Sequence, residues 1–421
     1  MTRRARYALF VLFAINAMNF FDRVIGGAVA EPIRKEWHLS DSALGALGTA
    51  FTLLYAFAGV PLGRLSDRFS RKKLLAGGVF LWSLLTGLSG ITRNFWELFA
   101  TRLGVGVGEA VCAPAGTSLI GDLYPPERRG RAMSLFMMGL PIGIALSFFL
   151  GGSIAHAHGW RAAFFVAGFP GLIFAIAAMF IVEPERAGGH ASEAVAHPYR
   201  ALLSIPTFWW IIASGALHNF NMYALGSFIA PLVIRYHGAD LRQAGLISMT
   251  VSGLSGIPGL LVGGILADSI GRKRKDGRLL LGAICILISI PFMVLALMQP
   301  PHAVTGFVIL ATLGCMSMYV YYSTVYAAIQ DVVEPRLRGT AMALYFLAMY
   351  VLGASLGPLG TGMASDFFTK RAAAAAGVTA LEQFKGVGLH SAMYLIPMLS
   401  AILTLVLFAA SRTIIRDARQ S

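Results

Sequence analysis

Apolar runs of about 20 residues or more recur along the whole of this 421-residue chain, each closed by a short polar turn. A run of that length crosses the hydrocarbon of a bilayer as an α-helix, which satisfies its backbone polar groups within one segment. Only 13% of the residues are charged and 57% are apolar, whereas soluble domains carry about a quarter charged residues. The chain therefore reads as an all-α polytopic membrane protein. Its runs lie near 8–30, 42–64, 74–92, 95–120, 131–155 and 161–182, then near 208–234, 242–267, 278–298, 303–330, 340–366 and 389–411, about twelve crossings in all. The first follows Arg3, Arg4 and Arg6, but its length and its internal Asp22-Arg23 pair argue against a cleaved signal.

The net charge of +14 would suggest nucleic acid in a soluble protein. Here the basic residues sit in short turns between spans, where a membrane surface accounts for them and no nucleic-acid partner is expected. With the N-terminus inside, most of the 34 Lys and Arg fall on the cytoplasmic side: the N-terminal tail, Arg64 to Lys73, Arg128 to Arg131, Arg272 to Arg278, Arg336 and Arg338, and Arg412 to Arg419. Both termini are then cytoplasmic. Cys112, Cys285 and Cys315 lie inside apolar runs without metal-ligand spacing, so neither a disulfide framework nor a metal site is expected.

The chain is internally duplicated. Gly63-Arg64-Leu65-Ser66-Asp67-Arg68-Phe69-Ser70-Arg71-Lys72 is echoed by Gly264-Ile265-Leu266-Ala267-Asp268-Ser269-Ile270-Gly271-Arg272-Lys273. Ile120 to Met133 also aligns without a gap on Ile329 to Met342, sharing Ile, Asp, Pro, Arg, Gly, Ala and Met. Parallel six-span repeats with a binding site between them are a transporter plan. The expected organisation is an N-terminal six-helix bundle over 1–182, a polar linker over 183–206 and a C-terminal six-helix bundle over 207–421. Lys370 to Lys385 reads as an alanine-rich hairpin connection able to form a short surface helix.

The turn at Gly63, with Arg102-Leu103-Gly104-Val105-Gly106-Val107-Gly108-Glu109-Ala110, resembles the signatures of major facilitator superfamily transporters across nearly the whole chain. Asn19-Phe20-Phe21-Asp22-Arg23, the Gly-Arg-Leu-Ser-Asp-Arg-Phe-Ser-Arg-Lys turn, and the run from Arg102 to Asp122-Leu123 resemble the Spinster family within it. That family is implicated in moving lysolipids and phosphorylated sphingoid bases, which implies an amphipathic substrate. The Asp-Arg pair also resembles anion symporters of the same superfamily, so sugar acids and other small organic anions are the alternative. The antiporter motif of span five is partial: Gly139, Pro141, Gly143, Gly151 and Gly152 are present without a Gly-Pro dipeptide, and Gly353-x-x-x-Gly357-Pro358 stands in span eleven instead.

Charged side chains at membrane depth cost at least about 2.5 to 3.5 kcal/mol each and mark pathways or pairs. The first half carries four: Asp22, Arg23, Arg102 and Glu109. At about 1.5 Å per residue Asp22 and Arg102 reach one level, roughly 8 to 10 Å below the outer boundary. Glu109 follows Arg102 by two turns on the same face. If spans one and four adjoin, as the resemblance implies, these residues form an acid-base ladder. Glu109 and Asp22 are the expected proton carriers and Arg23 and Arg102 the expected anion receivers, although Asp22 and Arg102 are equally readable as each other's partners. The second half offers polar and aromatic groups instead: His218, Asn219 and Tyr223 in span seven, and Tyr319, Tyr322 and Tyr326 at helical spacing in span ten. A ligand with an ionic end and an apolar body suits that contrast.

Gly63, Asp67, Arg68, Asp122, Asp268, Arg336 and Arg338 are the expected cytoplasmic gate, with Asp67 latching onto Arg336 or Arg338, while Arg71, Lys72 and Lys73 read as topology anchors. No His-Glu-x-x-His, Gly-x-Ser-x-Gly or phosphate-binding loop ending in Lys-Ser/Thr occurs, so an enzyme is not expected and a proton gradient replaces any cofactor as the energy source. Membrane lipids and a small-molecule or lipid substrate are the expected partners of a monomer, and the short tails suggest a bacterial inner membrane.

Overall fold

The computed structural model describes residues 3–184, 198–334 and 337–417, and their regular structure is entirely helical. The helices of the first half are α1 (Arg3–Ala28), α2 (Ala30–Trp37), α3 (Asp41–Arg68), α4 (Arg71–Ser89), α5 (Phe95–Glu109), α6 (Cys112–Leu123), α7 (Pro126–Met137), α8 (Gly139–His158) and α9 (Trp160–Met179). Then follow α10 (Pro198–Leu203), α11 (Pro206–His237), α12 (Leu241–Ser248), α13 (Gly256–Gly271), α14 (Gly277–Leu297) and α15 (Val304–Val332). The last are α16 (Arg338–Ala348), α17 (Leu356–Ala375), α18 (Lys385–Met393) and α19 (Leu395–Asp417). Among the described residues, ten helical stretches are long and apolar enough to cross a membrane. The two expected spans outside that set are α4, which opens on Arg71, Lys72 and Lys73, and α11, which carries His218, Asn219 and Asn221.

Local chemistry sets the helix ends. Ser40 caps α3 by accepting from the Ala43 N–H, and Asn94 caps α5 by accepting from the Glu97 N–H at 3.0 Å. Asp240 and Gln243 form a reciprocal capping box at the start of α12. Gly159 turns the chain from α8 into α9 at φ +82°, a conformation that a side chain would strain.

Several expected spans are not single helices. Span four breaks between α5 and α6 because Pro114 has no N–H for the carbonyl four residues earlier, at Ala110. Spans eight and eleven are each interrupted by a six-residue π-turn, Met249–Leu254 and Met349–Ala354. In the stretch from Lys370 to Lys385, Lys370 to Ala375 continues α17, residues 376–381 are exposed and non-helical, and Glu382–Phe384 is a 3-10 turn. Within the expected linker, Pro198–Leu203 is a short helix.

The chain divides into two compact units. One comprises Met1–Gly189, Gly226–Ile234 and Ala239–Met249, the other His190–Leu225, Arg235–Gly238 and Thr250–Ser421. In the first, α4 packs on α9 and α5, α1 on α8 and α9, and α12 on α8. Its interior is built on Ile15, Val79, Trp82, Val105 and Phe136, with a second cluster of Phe21, Ile25, Trp160 and Phe164. In the second, α14 packs on α15 and α19, α13 on α15, and α17 on α18. Small residues set these distances, as in membrane helix pairs generally. At Gly143 of α8 an added Cβ would stand 2.2 Å from the Ala17 carbonyl of α1, whereas at Gly77 of α4 it would meet nothing within 4 Å.

Gly143→Ala therefore forces α1 and α8 apart, at an overpacking cost of about 1 to 3 kcal/mol, and should lower the melting temperature in detergent. Gly77→Ala, which meets open space and gains helix propensity, should leave it unchanged or raise it.

Candidate functional site

In the first unit the four buried charges of α1 and α5 come together. The Arg23 guanidinium reaches Glu109 Oε2 at 3.3 Å, with side chains only 4% and 0% exposed, and also donates to Asn19 Oδ1 at 3.0 Å. Three rings surround that guanidinium: Phe20 at 4.7 Å, Phe51 at 5.3 Å and Tyr55 at 4.6 Å from its central carbon. Cation–π attraction is strongest in such desolvated surroundings. Glu109 is the last residue of α5, directly before the break at Ala110. Gly106 lets α3 approach α5, since a Cβ there would lie 2.5 Å from the Phe51 carbonyl.

Arg102 does not pair with the Asp22 carboxylate, as the sequence allowed. Its Nη2 donates instead to the Asp22 backbone carbonyl at 2.9 Å, and its guanidinium faces Phe51 at 5.4 Å. Both Asp22 carboxylate oxygens and Glu109 Oε1 are buried without a hydrogen-bond partner among the described residues. Buried carboxyl oxygens left this way are costly and need an explanation beyond packing. The Trp82 Nε1–H of α4 is likewise buried without a hydrogen bond of good geometry, and it faces the Asp22 carboxyl. Asn19, Phe20, Phe51 and Tyr55 form the shell of the site that the sequence reading did not assign. Asn19 and Phe20 stand in the Asn19-Phe20-Phe21-Asp22-Arg23 run that carries the family resemblance, whereas for Phe51 and Tyr55 only their spacing, one helical turn apart, hinted at it.

In the second unit, α11 and α15 bring the expected polar and aromatic residues together. His218 stacks on Tyr321 with ring centroids 3.9 Å apart and meets Tyr322 edge-on at 4.8 Å. Neither of its ring nitrogens has a partner among the described residues. The Tyr322 hydroxyl donates to Asn219 Oδ1 at 3.3 Å. Tyr319, Tyr322 and Tyr326 share a face, with ring contacts of 6.1 and 5.7 Å along it. Tyr319 is buried with its hydroxyl committed to the Ser252 carbonyl, so its polar end is already used. Tyr223 meets Tyr350 at 6.2 Å and Tyr326 meets Tyr345 at 5.8 Å, which adds Tyr345 and Tyr350 to the wall.

The expected gate residues divide. A Cβ added at Gly63 would meet nothing within 4 Å, and the side chains of Asp67 and Arg68, together with Arg336, lie outside the described residues. Arg338 donates to the Gln330 carbonyl at 2.8 Å. Asp122 pairs with Arg71, which is no mere topology anchor: its side chain is 3% exposed and also holds Glu183 at 3.0 Å and Ser118 at 3.0 Å. The second half repeats the arrangement, with Arg278 on Asp331, the repeat partner of Asp122, and at 3.7 Å from Asp268.

Glu183, read from sequence as the start of the linker, is thus an anchor. Burial alone would raise its carboxyl pKa. The hydrogen bonds it accepts from Ser70 Oγ, the Arg71 N–H and guanidinium, and the Lys72 N–H prevail and hold it at about 2, from an ordinary 4.5. A depressed carboxyl stabilises the fold fully above its unfolded-state value and loses that contribution as pH falls through the folded value. Glu183→Gln should accordingly lower the melting temperature at neutral pH, with the gap to wild type narrowing from 4.5 towards about 2.

Comparison with known proteins bears on what this geometry serves. A family model described as Major Facilitator Superfamily matches residues 10–358. The chain is 30% identical to an MFS-type efflux pump of Mycolicibacterium smegmatis, over 87% of this chain and 86% of that one. It is 27% identical to the sphingosine-1-phosphate transporter SPNS2 of Danio rerio, covering 83% and 74%, and 26% identical to a probable L-galactonate transporter of Escherichia coli, covering 85% and 83%. Among solved structures, a bacterial homologue of the human lysosomal transporter Spinster, inward-facing and unoccupied, superposes with a TM-score of 0.89 at 26% identity over 99% of both chains.

Proposed function

Because the chain belongs to the Major Facilitator Superfamily and is Spinster-like within it, we propose that it is a proton-coupled secondary transporter of an amphipathic anion, a lysolipid or sphingoid-phosphate-like molecule. In this reading two six-helix halves, twelve spans in all with both termini cytoplasmic, alternate access to a midplane site in a bacterial inner membrane. The observation that carries it is the buried Arg23–Glu109 pair beside the unpartnered Asp22 carboxylate. An arriving phosphate or carboxylate competes with Glu109 for the Arg23 guanidinium. Released from its cation, the Glu109 carboxyl takes a proton, and departure of the anion reverses both steps. Asp22, held by no hydrogen bond among the described residues, is the second proton carrier.

In the second unit His218, Asn219, Tyr223, Tyr322 and Tyr326 form a mixed polar and aromatic surface of the kind that receives an amphipathic molecule, and in the first Arg102 fixes the Asp22 backbone. Energy comes from the proton gradient without a cofactor, and the working unit is a monomer. The similarity to a probable L-galactonate transporter favours a second reading, symport of a sugar acid, in which the same arginine receives a carboxylate.

Glu109→Gln should abolish uptake driven by a pH gradient in proteoliposomes while leaving substrate exchange measurable. Full gradient-driven uptake by that variant would sink the coupling role. A thermal-shift screen of lysolipids, sphingoid phosphates and sugar acids separates the substrate classes. The stabilising class should lose its shift in Arg23→Ala, because the anion then has no buried cation to meet.

A further inference from the structure

Two stretches in the second half share both a sequence and an uncommon backbone. Thr250-Val251-Ser252-Gly253-Leu254-Ser255-Gly256-Ile257-Pro258 aligns without a gap on Tyr350-Val351-Leu352-Gly353-Ala354-Ser355-Leu356-Gly357-Pro358, with Val, Gly, Ser and Pro in common. Each overlaps a π-turn in all but the turn's first residue, Met249 or Met349, and both turns close alike. The Ser255 N–H donates to the Thr250 carbonyl at 3.2 Å and the Ser355 N–H to the Tyr350 carbonyl at 2.9 Å, each five residues back.

The prolines explain the position of the turns. Pro258 and Pro358 have no N–H for the carbonyls four residues earlier, Leu254 and Ala354, and their rings crowd those carbonyls. A locally wider turn is one way a helix in lipid absorbs that defect. Side chains then take up carbonyls loosened by the wide turn. Ser255 Oγ donates to the Val251 carbonyl at 2.6 Å and Ser355 Oγ to the Tyr350 carbonyl at 2.9 Å. From α15, the Tyr319 hydroxyl donates to the Ser252 carbonyl at 2.5 Å.

The helix on either side of the first turn is clamped to different neighbours. On one side, α12 packs on α8 so closely that a Cβ at Gly245 would come within 2.5 Å of the Phe148 carbonyl. On the other, α13 packs on α15, where a Cβ at Gly259 would lie 2.5 Å from the Met316 carbonyl. The chain passes from the first compact unit to the second between Met249 and Thr250, inside the π-turn. A continuous α-helix clamped at both ends carries any movement of one clamp rigidly to the other. A turn holding an extra residue, with carbonyls served by rotatable hydroxyls, yields between them.

We propose that Met249–Leu254 is a hinge at which span eight bends while its two ends stay clamped, and that Met349–Ala354 is its duplicate in span eleven. The inference goes beyond the transport reading, and its test needs no substrate. Spin labels at Leu246→Cys and Leu261→Cys, both exposed positions, in a background lacking Cys112, Cys285 and Cys315, report bending by pulsed electron resonance in lipid nanodiscs. The protein with its π-turn should give a broad or two-peaked distance distribution. Deleting Leu254, whose side chain is 42% exposed and fills no core, removes the extra residue and should collapse the distribution to one narrow peak near the straight-helix spacing of about 21 Å. Equally narrow distributions with and without the deletion would overturn the hinge.

Pro258→Ala, which restores the missing N–H, is the milder variant and should narrow the distribution in the same direction. Hydrogen exchange on the undeleted protein gives an independent reading: amides of 249–255 should exchange at least roughly tenfold faster than those of α13. Protection equal to that of α13 would equally refute the proposal.

Discussion

The Arg23–Glu109 pair is the constraint to which the first unit is fitted. Two charges removed from water repay their desolvation only with good geometry and further hydrogen bonds, and breaking such a pair costs about 3 to 5 kcal/mol. The neighbouring elements meet those conditions. Asn19, one turn below Arg23, takes a second guanidinium proton, while Phe20, Phe51 and Tyr55 supply aromatic faces that tolerate a cation without competing for its hydrogens. Gly106 brings α3 close enough to deliver Phe51, and Pro114 ends α5 so that Glu109 stands at its terminus. What is left unsatisfied, Asp22 and one oxygen of Glu109, is the chemically expensive remainder that packing alone does not explain.

At the ends of other helices the problem recurs with a different solution. Arg71 gathers Asp122 and Glu183 from separate elements, and Arg278 gathers Asp331 and Asp268. These arginines serve more than one acceptor each, which suits the delocalised fork of a guanidinium better than the point charge of a lysine. The central pair has one carboxylate and a shell of rings, so a competing anion can displace that carboxylate. The peripheral clusters tie helix ends and chain segments together through several bonds at once. Location and number of partners, more than residue type, separate the exchangeable pair from the fasteners.

Much of this was legible in the sequence, and the residues that were not share a physical reason. Asp22, Arg23, Arg102 and Glu109 announced themselves because a charge inside an apolar run is rare, and the repeated Asp122 and Asp331 because the alignment placed them at one point in each half. Which carboxylate meets which arginine was not legible: depth along a helix follows from rise per residue, but azimuth follows from how neighbouring helices pack. Arg102 consequently went to a carbonyl rather than to the Asp22 side chain. Phe51 and Tyr55 were invisible for the opposite reason, being ordinary residues in an apolar span until α3 is laid beside α1. Arg71 looked like one of three loop cations, because sequence shows a cluster of charge without showing which member is buried. The π-turns left a trace in Pro258 and Pro358, yet a proline announces only that a helical bond is missing, not whether the chain will kink, break or widen.

The two halves descend from one plan but divide its chemistry, and the alignment of their fourth spans shows how. Carried upstream without a gap from Ile120 and Ile329, it sets Arg102 opposite Ala311, Glu109 opposite Met318, Ala113 opposite Tyr322 and Thr117 opposite Tyr326. Pro114 falls opposite Ser323, which keeps its N–H, so α15 runs unbroken where its counterpart is split into α5 and α6. A broken helix exposes backbone and places a carboxylate at its end, which suits ion exchange. A continuous one holds Tyr319, Tyr322 and Tyr326 in register as a wall. The exchange of a few side chains and one proline between equivalent positions is enough to turn one copy of the span into a charge site and the other into an aromatic surface.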